Sequence, residues 1–336
     1  MEDTSDFPSP FSPTFLAVIS TSYVLVMVAS LAGNLLICIT IYKNKVLLKS
    51  PCYYFILSLA LSDLGTTLFA MPFDLEQVLT NGKWTHSHHL CNVWTTAYLV
   101  TVPTSILHLL TLSIERYKTL NDPLDRYKES PFLTVKRAML VIVVIWAYSF
   151  VFALIPVMGW RAFPQSNAVT EVCGFNISPA YSALSSVLNF FLPMFVMCLV
   201  YYKIYTIANK QRKVPLLRPS DKSHDKELHS VGARISSNMS TYIAARSRKL
   251  KVFLRDTRAA RTIALIVCSF FCCWMPHTVF SFVSVCCRAC GSAAPEELQC
   301  VLLLLGYLSS AINPYLYSCQ VSDMRRAYRE LYNSAC

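Results

Sequence analysis

The stretch that decides the fold is residues 91–117, CNVWTTAYLVTVPTSILHLLTLSIERY. Between Cys91 and Glu115 it contains no Asp, Glu, Lys or Arg. At about 1.5 Å per residue a helix over this stretch is roughly 37 Å long, which is enough to cross a bilayer. The stretch ends in Glu115-Arg116-Tyr117, and charges at the end of a buried helix lie at the water boundary rather than in lipid. The pattern predicts a transmembrane helix that ends in a charged switch at one membrane face.

The composition of the whole chain indicates the same class. Its 336 residues are 54% hydrophobic and only 15% charged, with a mean hydropathy of +0.43, which is too apolar for a soluble domain of this size. The formal net charge of +11 does not indicate nucleic-acid binding, because Lys and Arg fall between apolar runs instead of forming one patch with exposed aromatic residues. The sequence therefore predicts an integral membrane protein.

Seven apolar spans follow one another along the chain, each about as long as a membrane-spanning helix must be. They lie at 14–42, 51–76, 88–117, 136–159, 180–207, 258–285 and 297–318. Lys and Arg are concentrated in the loops after the first, third and fifth spans. By the positive-inside rule this predicts an extracellular N-terminus and a cytoplasmic C-terminus.

The polar segments complete the predicted organisation. Residues 1–13 carry three acids and three prolines and no basic residue, so we expect an extracellular, disordered N-terminus. The transmembrane domain is expected over 14–318 and includes a basic cytoplasmic loop, 208–255. This loop is expected to fold little except at its ends, which extend the fifth helix and, over Arg248–Thr262, the sixth. Residues 319–336 form the tail, and apolar and basic residues alternate there at helical spacing. The predicted fold class is all-α: a seven-helix membrane bundle with a short amphipathic eighth helix.

Each span carries one marker residue or motif, in a fixed order. The markers are Asn34, Asp63, Arg116 in Glu115-Arg116-Tyr117, Trp146, Pro193, Cys273-Trp274-Met275-Pro276 and Asn313-Pro314-Tyr315-Leu316-Tyr317. With all seven in register the chain resembles the class A (rhodopsin-like) G-protein-coupled receptors, and within them it is most similar in pattern to the biogenic-amine receptors. The resemblance covers essentially the whole chain.

The resemblance implies a plasma-membrane receptor that is not an enzyme and has no cofactor. Its implied partners are a small extracellular ligand, a heterotrimeric G protein, arrestin, a receptor kinase and the lipid bilayer, with no nucleic acid. The G protein would contact Arg116 and the loop residue Leu124. The implied activation switch comprises Glu115, Arg116, Tyr117, the "ionic lock" acid Asp256, the triad Ile106, Pro193 and Phe270, the hinge Pro276, and Tyr201, Pro314 and Tyr317.

Asp63 is an ionisable residue in the middle of an apolar span. Such a group costs several kcal/mol unless it finds partners, so it is either a structural hydrogen-bond node or a functional site. The resemblance implies a sodium site, whose oxygen ligands suit a hard cation. Its residues would be Asp63, Ser105, Ser309, Ser310 and Asn313, and Ser309 stands where many family members have Asn.

The resemblance also implies modifications on the outer side. A disulfide would join Cys91 to Cys173, and a second would join Cys287 to Cys290, with Cys286 and Cys300 as competing thiols. The sequon at Asn176 is a candidate for glycosylation.

The ligand site implied by the resemblance departs from the amine pattern at one decisive position. Its residues would be Asp74, Tyr98, Val102, Ser185, Ser186, Asn189, Trp274, His277, Thr278 and Tyr307. Amine receptors place the Asp that neutralises the ligand ammonium where this chain has Tyr98, and a phenol can stack on a cation without neutralising it. Asp74 and Glu76 are substitute counter-ions or, alternatively, solvated acids at the outer end of the second helix.

Several functions stay open at this point. The ligand is a non-standard amine or other small polar molecule, or a lipid or peptide, or the chain is a self-activating orphan receptor without a classical amine. A transporter would be expected to show inverted repeats, and a channel would need a filter loop or a ring of charges. The sequence shows neither feature.

Overall fold

The protein is described here from a computed structural model that covers residues 11–80, 82–122, 132–160, 173, 177–212, 232–287, 289–290 and 293–335. Side chains are described within these ranges except those of residues 88, 210–253, 255–256, 319–320, 322, 332 and 334–335. Five sequence predictions fall wholly or partly outside this part of the chain. They concern the N-terminal residues 1–10, residues 213–231 of the predicted cytoplasmic loop, the side chain of Asp256, Leu124 and Asn176.

The described residues form eight helices, of which seven are long and apolar enough to span a membrane. They are α1 Pro13–Lys43, α2 Pro51–Leu79, α3 His88–Asn121, α4 Val135–Leu154, α5 Pro179–Asn209, α6 Gly232–Cys286, α7 Glu296–Gln320 and α8 Ser322–Ala335. The predicted all-α fold with an amphipathic eighth helix is confirmed. In α8, Met324 and Ala327 are buried against the bundle and Arg325, Arg326 and Arg329 are exposed.

The largest differences from the predicted helix boundaries are in α6 and α4. The backbone of α6 is already helical at Gly232, well before Arg248, so much of the segment expected to be an unfolded linker continues the sixth helix. Residues 232–247 contain no proline and no glycine other than Gly232, so no residue in this segment favours breaking a helix. Helix α4 ends at Leu154 instead of 159, where the chain turns and Gly159 adopts a φ of 126°.

Helices α1 and α7 approach closely because of a glycine and a proline. A Cβ atom on Gly33 would lie 2.7 Å from the ring of Pro314, so this contact needs glycine. Pro314 has no N–H, which leaves the carbonyl of Ser310 without its usual helical donor. The side-chain amide of Asn34 donates to that carbonyl at 3.0 Å and also to the carbonyl of Ser30 at 2.9 Å. The Asn34 marker therefore holds α1 against the proline break of α7.

Helix α2 is broken near the end of the bundle that carries Cys91, which we call the outer end after the orientation that the sequence predicts. The α-helix Pro51–Phe69 stops at Ala70, and a second α-helix, Met71–Leu79, begins immediately and has Pro72 in its first turn. Because proline fixes φ and cannot donate to the preceding turn, it is tolerated at the start of a helix and kinks or breaks one elsewhere. The break places Asp74 in the first turn of the outer helix, where the helix dipole favours a negative charge.

Helix α5 contains a turn of π-helix. The segment Val187–Phe191 lies just before Pro193, and the N–H of Leu192 donates to the carbonyl of Val187. A proline removes one ladder hydrogen bond, and π turns often occur at functional positions within helices. Here the wider turn contains the buried side chain of Asn189.

Two disulfides close the outer side of the bundle. Cys91 at the start of α3 is bonded to Cys173 in the segment before α5, and the amide of Gln77 donates to the carbonyl of Cys173 at 3.2 Å. Cys287 is bonded to Cys290. Cys286 and Cys300 are free thiols, so the pairings implied by the resemblance are the ones present.

Candidate functional site

The side chain of Asp74 lies inside the bundle near its outer end. It is only 7% exposed, and the hydroxyl of Tyr307 on α7 donates a hydrogen bond to its Oδ2. The alternative that Asp74 is a solvated helix-end acid is therefore wrong. The break at Ala70 and the packing of α7 against α2 turn the carboxylate inward.

Glu76, two residues further on, has a different environment. Its carboxylate lies 2.9 Å from Nε2 of His86 and accepts from the hydroxyl of Thr85 at 3.3 Å, and 26% of its side chain is exposed. Glu76 lies in the last turns of α2, at the edge of the protein. Of the two acids that were substitute counter-ions, only Asp74 is buried.

Aromatic residues from three helices surround Asp74. Trp94 adjoins its carboxylate, and Tyr98 and Tyr23 lie near enough to interact with it electrostatically. Tyr23 meets Tyr307 edge to face at 6.3 Å between ring centroids. Trp94 is stacked on Trp84 of the outer loop at 5.6 Å. We call Asp74 with Tyr23, Trp94, Tyr98 and Tyr307 the aromatic-acid cluster.

Trp274 on α6 connects this cluster to the centre of the bundle. Its ring centroid lies 6.0 Å from that of Tyr98 and 5.8 Å from that of Tyr307. His277, one turn further out, contacts both Trp274 at 5.9 Å and Tyr98 at 6.5 Å. Three of the residues assigned to the ligand site by resemblance are therefore grouped around the Trp274 indole.

The α5 residues form a separate polar group with α4. The hydroxyl of Tyr148 donates to Oδ1 of Asn189 at 2.8 Å, and Nδ2 of Asn189 donates to the hydroxyl of Ser185 at 3.2 Å. Ser186 instead donates to the carbonyl of Ser182 in its own helix at 3.0 Å. The two serines are therefore not equivalent, because only Ser185 accepts from a neighbouring side chain here.

The remaining two ligand-site candidates are less informative. Val102 packs against the hydrophobic core from α3, and Thr278 on α6 is half-buried.

The residues assigned to a sodium site are only partly brought together. Asp63 is 2% exposed and accepts from the hydroxyl of Ser310 at 2.9 Å and from the amide of Asn313 at 3.0 Å. The hydroxyl of Ser105 donates to Ser62 at 3.2 Å, and that of Ser309 accepts from the indole N–H of Trp274 at 3.0 Å. Asn313 Oδ1 is a buried oxygen to which the described protein atoms offer no hydrogen bond. The oxygens of Asp63 and Ser310 suit a hard cation, whereas Asn313 presents its amide N–H to the carboxylate.

At the other end of α3, Arg116 is paired within its own helix. Its guanidinium donates to Glu115, which also accepts from the hydroxyl of Thr119 at 3.0 Å. Nearby, the hydroxyl of Ser113 donates to that of Tyr201 at 3.2 Å. Asp256 lies on α6, but its side chain is outside the described part, so its pairing with Arg116 stays a prediction.

The other switch candidates lie along the bundle core. Ile106, Phe270 and Tyr317 are almost fully buried, and the rings of Phe270 and Trp274 are 6.2 Å apart. Pro276 and Pro314 both lie inside helices. Phe270 therefore extends the contacts of Trp274 one turn further toward the Arg116 end of the bundle.

This arrangement of seven spans can be compared with known proteins. A family model described as "7 transmembrane receptor (rhodopsin family)" matches residues 33–317. The chain belongs to this family. As a rhodopsin-family member it is a multi-pass membrane receptor and not an enzyme.

Several curated receptors are similar to this chain over most of its length. It is 27% identical over 314 residues to the Octopamine receptor beta-1R of Drosophila melanogaster. The matched region covers 92% of this chain and 60% of that receptor. It is 28% identical over 323 residues to the Histamine H2 receptor of Cavia porcellus, covering 95% of this chain and 80% of that one. It is 28% identical over 316 residues to the Alpha-1A adrenergic receptor of Mus musculus, and the matched region covers 90% of this chain and 65% of that receptor. The similarity to amine receptors noted in the motifs is confirmed.

Four residues of this rhodopsin-family site were not found from the sequence: Tyr23, Trp94, Tyr148 and Gly306. Trp94 precedes Tyr98 by one helical turn, and this spacing alone could have placed both on one face of α3. Gly306 carries no chemical signal, yet a Cβ there would lie 2.9 Å from the Trp274 ring. Tyr23 and Tyr148 are aromatic residues in apolar spans, and nothing in a single sequence distinguishes them from ordinary core residues.

Proposed function

We propose that this rhodopsin-family chain is a G-protein-coupled receptor for a small cationic, amine-type ligand, and that Asp74 is the counter-ion of the ligand. The observation that carries this proposal is the buried Asp74 carboxylate within the aromatic-acid cluster. The names of the similar receptors support the ligand class, since they include octopamine, tyramine and histamine receptors. The absence of an acid at Tyr98 then reflects a displaced counter-ion rather than a lost amine site.

The physical reason is the cost of burying charge. A carboxylate taken out of water is strongly unfavourable unless it is paired and hydrogen-bonded. The Tyr307 hydroxyl supplies one hydrogen bond to Asp74, but a phenol carries no positive charge. A ligand ammonium would supply that charge. Tyr98 and Trp94 would then contact the same cation through their ring faces.

The proposed signal runs from the counter-ion to the hinge in α6. Tyr307 contacts both Asp74 and the Trp274 ring, and Trp274 lies half a turn before Pro276. A ligand that moves Tyr307 or Tyr98 therefore acts on the tryptophan next to the break in α6. Interfaces packed in two discrete arrangements convert such small shifts into helix movements. The N-terminus is proposed to face the outside and the Arg116 end the G protein, with Leu124, arrestin and a receptor kinase as further partners.

The proposed function includes an allosteric sodium ion near Asp63. Asp63 and Ser310 would hold the ion, and the unpartnered Oδ1 of Asn313 supports a further oxygen contact in this region. When bound, the ion would supply positive charge to a carboxylate buried at the centre of the bundle.

The test compares the two acids at the outer end of α2. Second-messenger responses to a panel of aromatic amines would be measured in cells expressing the natural chain, Asp74→Asn or Glu76→Gln. Loss of a charge-assisted contact is typically worth about 1.5–3 kcal/mol, so Asp74→Asn should lower amine potency roughly ten- to more than a hundred-fold. Glu76→Gln should leave potency within a few-fold. Equal effects of the two substitutions would refute Asp74 as the counter-ion.

A further inference from the structure

We infer that the aromatic-acid cluster selects methylated ammonium ligands, tertiary or quaternary, over primary amines. The inference rests on the proposed function, because it takes Asp74 as the counter-ion. It concerns a different property of the site, which is how many hydrogen-bond acceptors and how many ring faces surround the cation.

The cluster offers few hydrogen-bond acceptors to a buried ammonium group. A primary ammonium carries three N–H donors and needs an acceptor for each of them when it is buried. Tyr307 already occupies one acceptor site of the Asp74 carboxylate, and the neighbouring Trp94 indole can only add a further donor. A primary ammonium in this cluster would therefore compete with Tyr307 for the carboxylate. Each N–H left without an acceptor carries the desolvation cost of an unsatisfied donor.

The cluster offers several aromatic ring faces to a cation. A methylated ammonium spreads its charge over methyl groups that need no acceptor and bind to ring faces, and aromatic cages recognise quaternary ammonium ions in this way. Four of the five side chains in the cluster are aromatic. Tyr307 is held in place by edge-to-face contacts with Tyr23 and with Trp274, whose ring plane is at 90° to its own. Trp94 is held by its stack on Trp84.

This site differs at Tyr98 from the sites of the similar receptors, whose names refer to primary amines. Octopamine, tyramine and histamine, which name those receptors, are primary amines. This chain has Tyr98 where amine receptors of the family carry an acid, so a charged carboxylate is replaced by a neutral phenol with a ring face. The replacement weakens the site for a primary amine, and it adds a ring face that a methylated ammonium can contact.

The experiment uses a ligand series on one scaffold: tyramine and its N-methyl, N,N-dimethyl and N,N,N-trimethyl derivatives. Potencies would be measured by second-messenger response in cells expressing the full chain, with Asp74→Asn in parallel. Potency is expected to rise about tenfold or more from the primary to the quaternary member, the scale of a desolvated cation–π contact. An Asp74-dependent response that is strongest for tyramine would overturn this inference and leave the proposed function standing. No Asp74-dependent response to any of the four would overturn both.

Two variants locate the cause of the preference. Tyr307→Phe frees Oδ2 of Asp74 for a ligand N–H and should reduce the preference for methylation severalfold. Trp94→Leu removes a ring face and should weaken the trimethyl compound more than tyramine. The matched control is Trp160→Leu, at a tryptophan that follows the turn after α4 and is 44% exposed, and it should leave the series unchanged. A methylation preference that survives both Tyr307→Phe and Trp94→Leu would show that it does not come from this cluster.

Discussion

The indole N–H of Trp274 donates a hydrogen bond to the hydroxyl of Ser309 at a distance of 3.0 Å. This bond joins α6 to α7 between two functional regions. On one side Trp274 contacts Tyr307 and Tyr98 of the aromatic-acid cluster, and on the other Ser310, next to Ser309, donates to Asp63. A ligand at Asp74 and an ion at Asp63 would therefore act on the same tryptophan.

Ser309→Ala tests the importance of this bond. The substitution leaves a buried indole N–H without an acceptor, which costs about 1–3 kcal/mol. We expect the thermal midpoint in detergent to fall by several degrees. Ser284→Ala is the control, because within the described part of the chain that hydroxyl donates to the Phe280 carbonyl of its own helix, and its loss should be neutral within about 0.5 kcal/mol. Equal midpoints for Ser309→Ala and the natural chain would mean that water or another group satisfies the indole.

Gly306→Ala tests how tightly Trp274 is packed. A Cβ at Gly306 would lie 2.9 Å from the Trp274 ring, and the aromatic ring is a rigid neighbour. The ring must move, which should change ligand-independent signalling by a measurable factor while surface expression is kept. Gly65→Ala is the control because its Cβ would meet only a methyl group of Thr101 at 3.2 Å. If both variants signal like the natural chain, the position of Trp274 does not set basal activity.

The fold could be predicted from the sequence because lipid imposes one solution on an apolar span. Long charge-free runs such as 91–114 must be helical, since every backbone group has to be satisfied within the segment. The partners of Asp63 could be inferred from the resemblance, and Ser310 and Asn313 do bond to it. The contacts of Ser105 and Ser309 could not be inferred, because a serine hydroxyl forms a hydrogen bond with whichever polar neighbour the packing brings near.

The environment of Asp74 shows where sequence reasoning failed. An acid just after a proline at the end of a span looks solvated, and its neighbour Glu76 is indeed partly exposed. The difference comes from Tyr307, which is 233 residues away along the chain and reaches Asp74 only because α7 packs beside α2. A contact of this kind is decided by tertiary packing, so neither periodicity nor local composition contains it. The same holds for the hydrogen bond from Tyr148 to Asn189.

Asp63→Asn tests the proposed sodium ion. The substitution keeps the size of the side chain and removes its charge, so an ion held by that charge should be lost. We expect agonist binding measured in sodium chloride and in choline chloride to differ for the natural chain and to become equal for Asp63→Asn. Asp74→Asn is not a suitable control because it alters the ligand site, and Glu76→Gln takes its place. If the sodium dependence is unchanged in Asp63→Asn, Asp63 is a structural hydrogen-bond node only.

Tyr98→Asp tests whether the site is an amine site with a displaced counter-ion. The variant restores an acid where the amine receptors of the family have one, close to the existing Asp74. Two neighbouring carboxylates repel each other, and a ligand ammonium placed between them relieves that repulsion as well as forming its own contact. A charge-assisted contact is worth about 1.5–3 kcal/mol, so at least one aromatic amine should gain roughly ten- to more than a hundred-fold in potency.

Tyr98→Phe is the matched control for that measurement, since it keeps the ring and adds no charge. Surface expression and basal signalling of both variants would be measured first, and an amine panel would follow. A Tyr98→Asp receptor that reaches the surface, keeps its basal signal and responds to no amine would contradict the amine assignment. Ser185 and Ser186 would then be packing residues of α5, and the buried pair of Asp74 and Tyr307 would be a structural bond between α2 and α7.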